Sequence, residues 1–249
     1  MSGTSAAAAH ELGNLSVFAA RLDHSFSRQD MNDLESYFYA NPGRATLKWL
    51  HYFEIYDRPF ARLRASDVFI MEIGVGHGGS LQMWRHYFGG RCNVIGVDTN
   101  QRCKGFEEPG VQIEIGDQAD RHFLHLLMAK YPRLDIIVDD GGHRMFEQIS
   151  SFEELYWHLS ENGVYLCEDL HTSYWPEFGG GLRREGTFIE FSKGLVDALH
   201  AWHSRDCRSL AVGEFTRTAW SIHYYDSVFV VEKRRRTTPR QLATGKEAL

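Results

Sequence analysis

The chain has 249 residues, 43% of them hydrophobic, with 33 acidic against 27 basic side chains and a formal net charge of −6. That apolar content is enough to bury the core of an α/β domain, and the acidic balance argues against a nucleic-acid surface as partner. Cys92, Cys103, Cys167 and Cys207 lack C-x-x-C spacing, which argues against a zinc or disulfide framework and fits a reduced, cytoplasmic protein.

No run reaches the ~18 apolar residues that a bilayer span needs, and no basic-then-apolar secretory pattern opens the sequence. Residues 1–14 are small and polar, so a mobile tail is expected there. Residues 15–64 read as an aromatic-rich helical extension, punctuated by Pro42-Gly43 and by Pro59. Within it, Lys48, His51 or Tyr52, and Tyr56 recur at helical spacing and share one face. Periodicity by itself favours aromatics packed onto a sheet over a direct ligand role.

The chemistry begins at 68–80, VFIMEIGVGHGGS. An apolar strand ends in Glu72, passes through Gly74, Gly76 and Gly79, and enters a helix at Ser80. Glycines there let a backbone approach a ligand, and the helix start offers unpaired N–H groups. The glycines satisfy G-x-G-x-x-G, so a dinucleotide is one candidate and a ligand-free tight turn is another. Glu72 favours S-adenosylmethionine instead: a carboxylate at the strand tip repels a pyrophosphate but receives the ammonium of a methionine moiety.

A second buried strand, 93–98, ends in Asp98, placed to accept hydrogen bonds from a ribose diol of either cofactor. The third, 111–115, leads into Gly116-Asp117-Gln118, an acid and an amide suited to an adenine edge. Asp120 reads either with this ligand edge or as the N-cap of the helix over 119–131, which Pro132 stops. The fourth strand runs 134–139 and emerges as Asp139-Asp140-Gly141-Gly142-His143. A helix over 152–159, closed by Asn162-Gly163, precedes a fifth strand from Val164 that ends in Glu168-Asp169-Leu170-His171.

Neighbouring parallel strands bring both acidic pairs to one sheet edge. Asp140, Glu168 and Asp169 then suit a hard divalent cation such as Mg²⁺. Strand alternation turns Asp139 the other way, toward the cofactor. His143 stands beside the acids as a proton acceptor for a hydroxyl, and His171 is a weaker candidate for a substrate contact. The segment 173–186, with Tyr174 and Trp175, reads either as a lid or as a packed surface loop. An amphipathic helix over 188–202, strands over 210–215 and 220–232, and a solvated basic tail over 233–249 complete the chain.

Together, Glu72-Ile73-Gly74-Val75-Gly76, Gly116-Asp117-Gln118, Asp139-Asp140-Gly141-Gly142-His143 and the stretch from Glu168 to Trp175 resemble the macrocin and mycinamicin type of sugar O-methyltransferases. The calicheamicin-type enzymes are a closely similar group. The resemblance spans about 47–199 and implies a class I methyltransferase fold over 65–232: a seven-stranded, mostly parallel Rossmann-like sheet with helices on both faces. It further implies S-adenosylmethionine- and Mg²⁺-dependent methylation of a sugar hydroxyl on a glycosylated bacterial natural product, a tailoring step of antibiotic biosynthesis.

Carried over by motif, Asp140, Glu168 and Asp169 match metal ligands and His143 matches the base. Lys48, Tyr52, Tyr56, Glu72, Gly74, Gly76, Ser80, Asp98, Asp117, Gln118 and Asp139 match cofactor positions. His171, Tyr174 and Trp175 match substrate contacts. The expected partners are a small glycoside and copies of the chain itself, without nucleic acid or membrane. A cephalosporin-hydroxylase-like enzyme and a non-catalytic sensor that keeps the cofactor pocket are the alternatives.

Overall fold

Seven strands form one sheet in the order β3-β2-β1-β4-β5-β7-β6. The protein is described by a computed structural model covering residues 31–41 and 43–246, so the expected tail at 1–14 lies outside the described residues. The strands are β1 (Phe69–Ile73), β2 (Asn93–Asp98), β3 (Val111–Ile115), β4 (Leu134–Asp139), β5 (Leu159–Cys167), β6 (Ala219–Tyr225) and β7 (Val228–Lys233). β1 to β5 pair in parallel. β7 runs antiparallel to both β5 and β6. The order reverses between β1 and β4, whose carboxyl ends open the crevice where such sheets bind ligands.

Helices cover both faces. On one lie α1 (Asp33–Ala40), α2 (Tyr52–Phe60) and α3 (Gly79–Phe88), whose Leu34, Phe53, Phe60 and Trp84 pack with Ile70, Ile136 and Val164 of the sheet. On the other lie α4 (Arg121–Lys130), α5 (Met145–Leu155) and α6 (Phe188–His200), whose Leu124, Phe152 and Phe188 pack with Met71, Ile137 and Tyr165. The described residues from Asp33 onward form one compact unit, and α1 and α2 share the core of the sheet, while residues 15–30 of the expected extension lie outside the described residues. Among the described residues no helix is long and apolar enough to cross a membrane.

Strand parity assigns each acid to a face. Val68 and Ile70 point to the α2–α3 side, so Glu72 does too. On β4, Ile136 and Val138 take that side while Ile137 takes the other, which turns Asp139 away and Asp140 toward α2. Asp139 pairs with Cys167 across the ladder, so Asp140 and Glu168 emerge side by side on the α2 face.

Four local expectations are corrected. α2 starts only at Tyr52 and runs through Pro59 to Phe60; Pro59 forgoes the ladder bond to the Ile55 carbonyl, and the helix continues only one residue beyond it. Lys48 therefore sits on the irregular segment that leads into the helix, not on the helix. The helix after β4 is α5, Met145–Leu155, and β5 begins at Leu159 rather than at Val164. Asn162, at φ 71°, sits where the register with β4 shifts, so Asn162-Gly163 marks an irregularity inside a strand. Residues 210–215 contain no strand; Glu214–Thr218 is a short helix, α7, with the Thr216 hydroxyl accepting the Gly213 N–H at 3.1 Å. The basic run is also less free than expected, since Lys233 ends β7 and the Arg234 and Arg236 N–H groups bond the carbonyls of Thr218 and Arg217.

Asp120 caps α4 by accepting from the N–H groups of His122 and Phe123, and Tyr225-Asp226-Ser227 is the hairpin turn between β6 and β7, with Ser227 at φ 63°. The segment after β5 folds into two short 3₁₀ turns, Leu170–Tyr174 and Pro176–Phe178, closed by Gly180 and Gly181 N–H bonds to the carbonyls of Trp175 and Ser173.

Gly74 shows how tightly the crevice is built. It holds φ +92°, and a Cβ there would lie 1.9 Å from the Asp140 carbonyl oxygen. Gly74→Ala is expected to cost several kcal/mol, because a left-handed backbone and a backbone clash coincide. Urea unfolding checks this, and a loss under about 1 kcal/mol would contradict it.

Candidate active site

Four acids meet at the carboxyl edge of β1, β4 and β5, and each is held differently. Glu72 is fully enclosed. Its Oε2 accepts the Ser80 hydroxyl at 2.7 Å, while its Oε1 has no hydrogen-bond donor. Burial pushes its carboxyl up to about 7, with Lys48 working against the rise.

Glu168 is equally enclosed, with Tyr56 Oη donating to Oε1 at 2.7 Å. Lys48 Nζ donates to both of its oxygens at 3.1 and 2.9 Å and to Asp140 Oδ2 at 2.5 Å. Burial alone would depress the Lys48 ammonium, but Asp140, Glu168 and Glu72 outweigh it and hold it well above the usual lysine value. Burial and the Asp140 charge raise Glu168, against the donors Lys48 and Tyr56.

Asp140 and Asp169 have an outer side. Asp169 adopts a left-handed backbone, φ 57°, where β5 breaks into the first 3₁₀ turn. This carries its carboxylate back over α2, where Tyr52 Oη donates to Oδ1 at 2.7 Å. His143, also left-handed at φ 56°, places Nε2 3.7 Å from Asp140 Oδ1 and 3.5 Å from Asp169 Oδ2. Ligand atoms of Asp140, His143 and Asp169 all lie within 4.8 Å of one another. The two carboxylates suit a hard divalent ion, and the imidazole stands beside them. Glu168, the third expected ligand, lies just behind this group, its oxygens accepting from Lys48 and Tyr56.

The glycine turn faces the same crevice. Gly76 holds φ +54° with no atom within 4 Å of where a Cβ would sit, which leaves room beside its backbone. Asp98 closes the turn, its Oδ2 accepting the Val75 and Gly76 N–H groups at 3.0 and 3.1 Å. Glu72 Oε1, which has no hydrogen bond and only the Lys48 ammonium at 3.9 Å, and this open glycine are the features that fit an aminoacyl cofactor.

Three expected cofactor contacts are turned inward. Ser80 donates to Glu72. Asp139 is fully buried, accepting from Gln118 Nε2 at 3.0 Å and Tyr165 Oη at 3.2 Å, and burial lifts it to about 6. Gln118 also donates to Ser151 Oγ and accepts the Gly142 N–H at 2.8 Å. Gln118 and Asp139 thus lock the loop that carries Asp140 and His143. Asp117, by contrast, is exposed at the end of β3.

On the outer side, His171 Nδ1 meets Ser227 Oγ at 2.5 Å, and its ring lies 4.6 Å from Trp175 and 6.2 Å from Trp49. Trp49, Tyr174 and Trp175 are exposed. The sequence reading passed over Trp49, although its place beside Lys48 was a usable signal. It also passed over Gln148, a fully buried amide that donates to the Glu168 carbonyl at 3.0 Å and fixes that strand end.

Fold and crevice together define the class I methyltransferase architecture. Demethylmacrocin O-methyltransferase of Streptomyces fradiae is 34% identical over 220 residues, 83% of this chain and 54% of that enzyme. Mycinamicin VI 2''-O-methyltransferase of Micromonospora griseorubida is 32% identical over 219 residues, 84% and 53% of the two chains. A solved methyltransferase of the mycinamycin biosynthetic pathway, in complex with Mg and SAH, superposes with a TM-score of 0.74 at 33% identity, covering 82% of this chain and 55% of that one. The same enzyme has been solved with Mg, SAH and mycinamycin VI, at a TM-score of 0.73. No family model matches the chain. The chain is a homologue of the macrocin and mycinamicin type of sugar O-methyltransferases, and it spans about half the length of the curated relatives it matches.

Proposed function

We propose that this chain transfers a methyl group from S-adenosylmethionine to a sugar hydroxyl of a glycosylated bacterial natural product, with Mg²⁺ as the second cofactor. One observation carries the reading: Asp140, His143 and Asp169 converge on the outer side of an acidic crevice whose inner wall is the glycine turn and Glu72. Relatives similar over most of this chain are sugar O-methyltransferases, and a structural neighbour was solved with Mg and SAH.

Asp140 and Asp169 are the side chains that would hold the ion, with His143 beside them. When bound, Mg²⁺ lowers the pKa of a sugar hydroxyl and the sulfonium supplies an electrophilic methyl. His143 Nε2 faces the outer side, where it takes the proton of the acceptor hydroxyl. Tyr52 restrains Asp169, and the Gln118–Asp139 pair restrains the loop of Asp140 and His143, so reacting groups are positioned before the acceptor arrives. Glu72 Oε1 would receive the methionine ammonium, the Gly74–Gly76 turn would admit the cofactor backbone, and Asp98 and Asp117 would flank ribose and adenine. Trp49, His171 and Trp175 form an aromatic wall against which the apolar face of a sugar packs.

The test is incubation with S-adenosylmethionine and a panel of deoxysugar glycosides, read by chromatography. S-adenosylhomocysteine and a methylated glycoside should form, EDTA should stop both, and Mg²⁺ should restore them. Full activity in EDTA would overturn the metal assignment. Oxygenated product without S-adenosylhomocysteine would point to hydroxylase chemistry, and tight cofactor binding without transfer would point to a sensor.

A further inference from the structure

The turn that joins β6 to β7 reaches the site from the far end of the chain. Cys167 faces Phe229 across the β5–β7 ladder, and Tyr225 faces Val228 across the hairpin. Continuing that antiparallel register by two residues sets the turn residue Ser227 opposite Asp169, where β5 gives way to the 3₁₀ turn that carries His171. Ser227 makes a hub there. Its carbonyl accepts the Leu170 N–H at 2.9 Å and lies 3.4 Å from Tyr52 Oη. Its hydroxyl oxygen accepts the His171 N–H at 3.2 Å and meets His171 Nδ1 at 2.5 Å. The neighbouring Asp226 carbonyl accepts from His51 Nε2 at 3.1 Å, so the same turn also holds the residue before α2.

These contacts fix the polarity of the His171 ring. A serine hydroxyl has one proton to donate and two lone pairs with which to accept. One lone pair takes the His171 N–H, and among the described residues Nδ1 is the sole acceptor bonded to Ser227 Oγ. The hydroxyl proton therefore goes to Nδ1, and the neutral ring carries its own proton on Nε2. Nε2 makes no hydrogen bond to a described residue. It is turned away from the hairpin, on a ring that stands beside the exposed Trp49 and Trp175.

We infer that Ser227 is a positioning residue for the acceptor: its hydroxyl holds His171 so that Nε2–H is a fixed hydrogen-bond donor to an oxygen of the bound sugar. The inference rests on the sugar-methyltransferase reading of the preceding section. It separates the two histidines of the crevice. His143 Nε2, facing Asp140 and Asp169, takes the proton, whereas His171 Nε2 already carries one and grips a lone pair. With the indoles against the apolar face of the sugar, one directed donor sets the rotation of the ring and so selects the hydroxyl that arrives at His143.

The first test reads the ring directly, by proton–nitrogen correlation spectra of the full chain isotopically labelled at its histidine ring nitrogens, with the His171 signals assigned by their loss in His171→Gln. His171 should show a protonated Nε2 and an imine-type Nδ1, and Ser227→Gly should shift the ring to a mixture of tautomers. Glycine takes the left-handed φ of 63° without strain and keeps the carbonyl that anchors Leu170, so this variant removes the hydroxyl alone. A protonated Nδ1 in the unaltered chain, or a ring indifferent to Ser227→Gly, overturns the inference. The second test is kinetic, on a glycoside that the panel shows to be methylated. Ser227→Gly should raise its KM roughly fivefold or more, with kcat and S-adenosylhomocysteine affinity within about threefold. His171→Gln, whose amide supplies a donor near the place of Nε2, should keep KM within about threefold, and adding Ser227→Gly to it should change KM less than about twofold. A fall in kcat at unchanged KM would make Ser227 a support of Asp169 only, and would remove it from sugar binding. If no glycoside reacts although the Nε2–H tautomer is present, the proposed function fails and the orienting role of Ser227 stands. A methylated glycoside whose KM ignores Ser227→Gly sinks the inference alone.

Discussion

Replacing Asp169 by asparagine should lower kcat by about 10³-fold while leaving cofactor affinity within a few-fold of the unaltered chain. The substitution is nearly isosteric, and asparagine tolerates the left-handed backbone that Asp169 adopts at φ 57°. The amide oxygen can still accept from Tyr52, which now donates to Oδ1 at 2.7 Å. What disappears is the carboxylate charge at Oδ2, which faces His143 Nε2 at 3.5 Å, on one of the acids proposed to hold an ion. The cofactor pocket on the inner side of the crevice is untouched. Steady-state kinetics, with calorimetry of S-adenosylhomocysteine binding, separates the two effects. A variant retaining a third or more of the rate would remove Asp169 from the reaction.

The second large effect is on stability and depends on pH. Burial lifts the Glu72 carboxyl from the ordinary 4.5 to about 7. A raised acid holds its proton in the folded state and releases it on unfolding, so this group costs stability as pH rises from 4.5 through 7, and the cost is flat above that. Glu72→Gln removes the titration and keeps an oxygen for the Ser80 hydroxyl. The variant should therefore match the unaltered chain near pH 4.5 and exceed it at pH 8 by up to about 3 kcal/mol, the equivalent of the shift for an enclosed group. Its affinity for S-adenosylmethionine should fall, because the carboxylate proposed to meet the ammonium is gone. Urea unfolding at several pH values measures the first effect. A stability difference that does not vary with pH would show that Glu72 is not titrating in the folded chain.

These two side chains illustrate what was readable in the sequence. The apolar runs ending in Glu72, Asp98, Asp139 and Cys167 identified four parallel strands because a buried strand exposes both faces to apolar neighbours and reads as a continuous run. Once those strands lie in register, a period of two sends Glu72, Asp140 and Glu168 to one face and Asp139 to the other. Where local sequence misled, a competing force was at work. The Asn162-Gly163 pair looks like a helix terminator, yet it sits at a register shift inside β5, where pairing with β4 outweighs turn propensity. Residues 210–215 alternate like a strand, but the Gly213–Thr216 bond starts a helix there.

The architecture and the acidic, glycine-bordered edge of the sheet follow from local signals, because strand runs, caps and alternation act over a few residues. The partners of those acids come from long-range packing. Lys48 lies 92 residues from Asp140 and 120 from Glu168 in the chain, and Gln118 lies 21 from Asp139, so nothing in local spacing joins them. A carboxylate's charge, direction and availability depend on which donor reaches it after folding. For Glu168 that donor is a buried ammonium, and for Asp169 it is a tyrosine hydroxyl, which leaves one acid enclosed and the other open to a ligand.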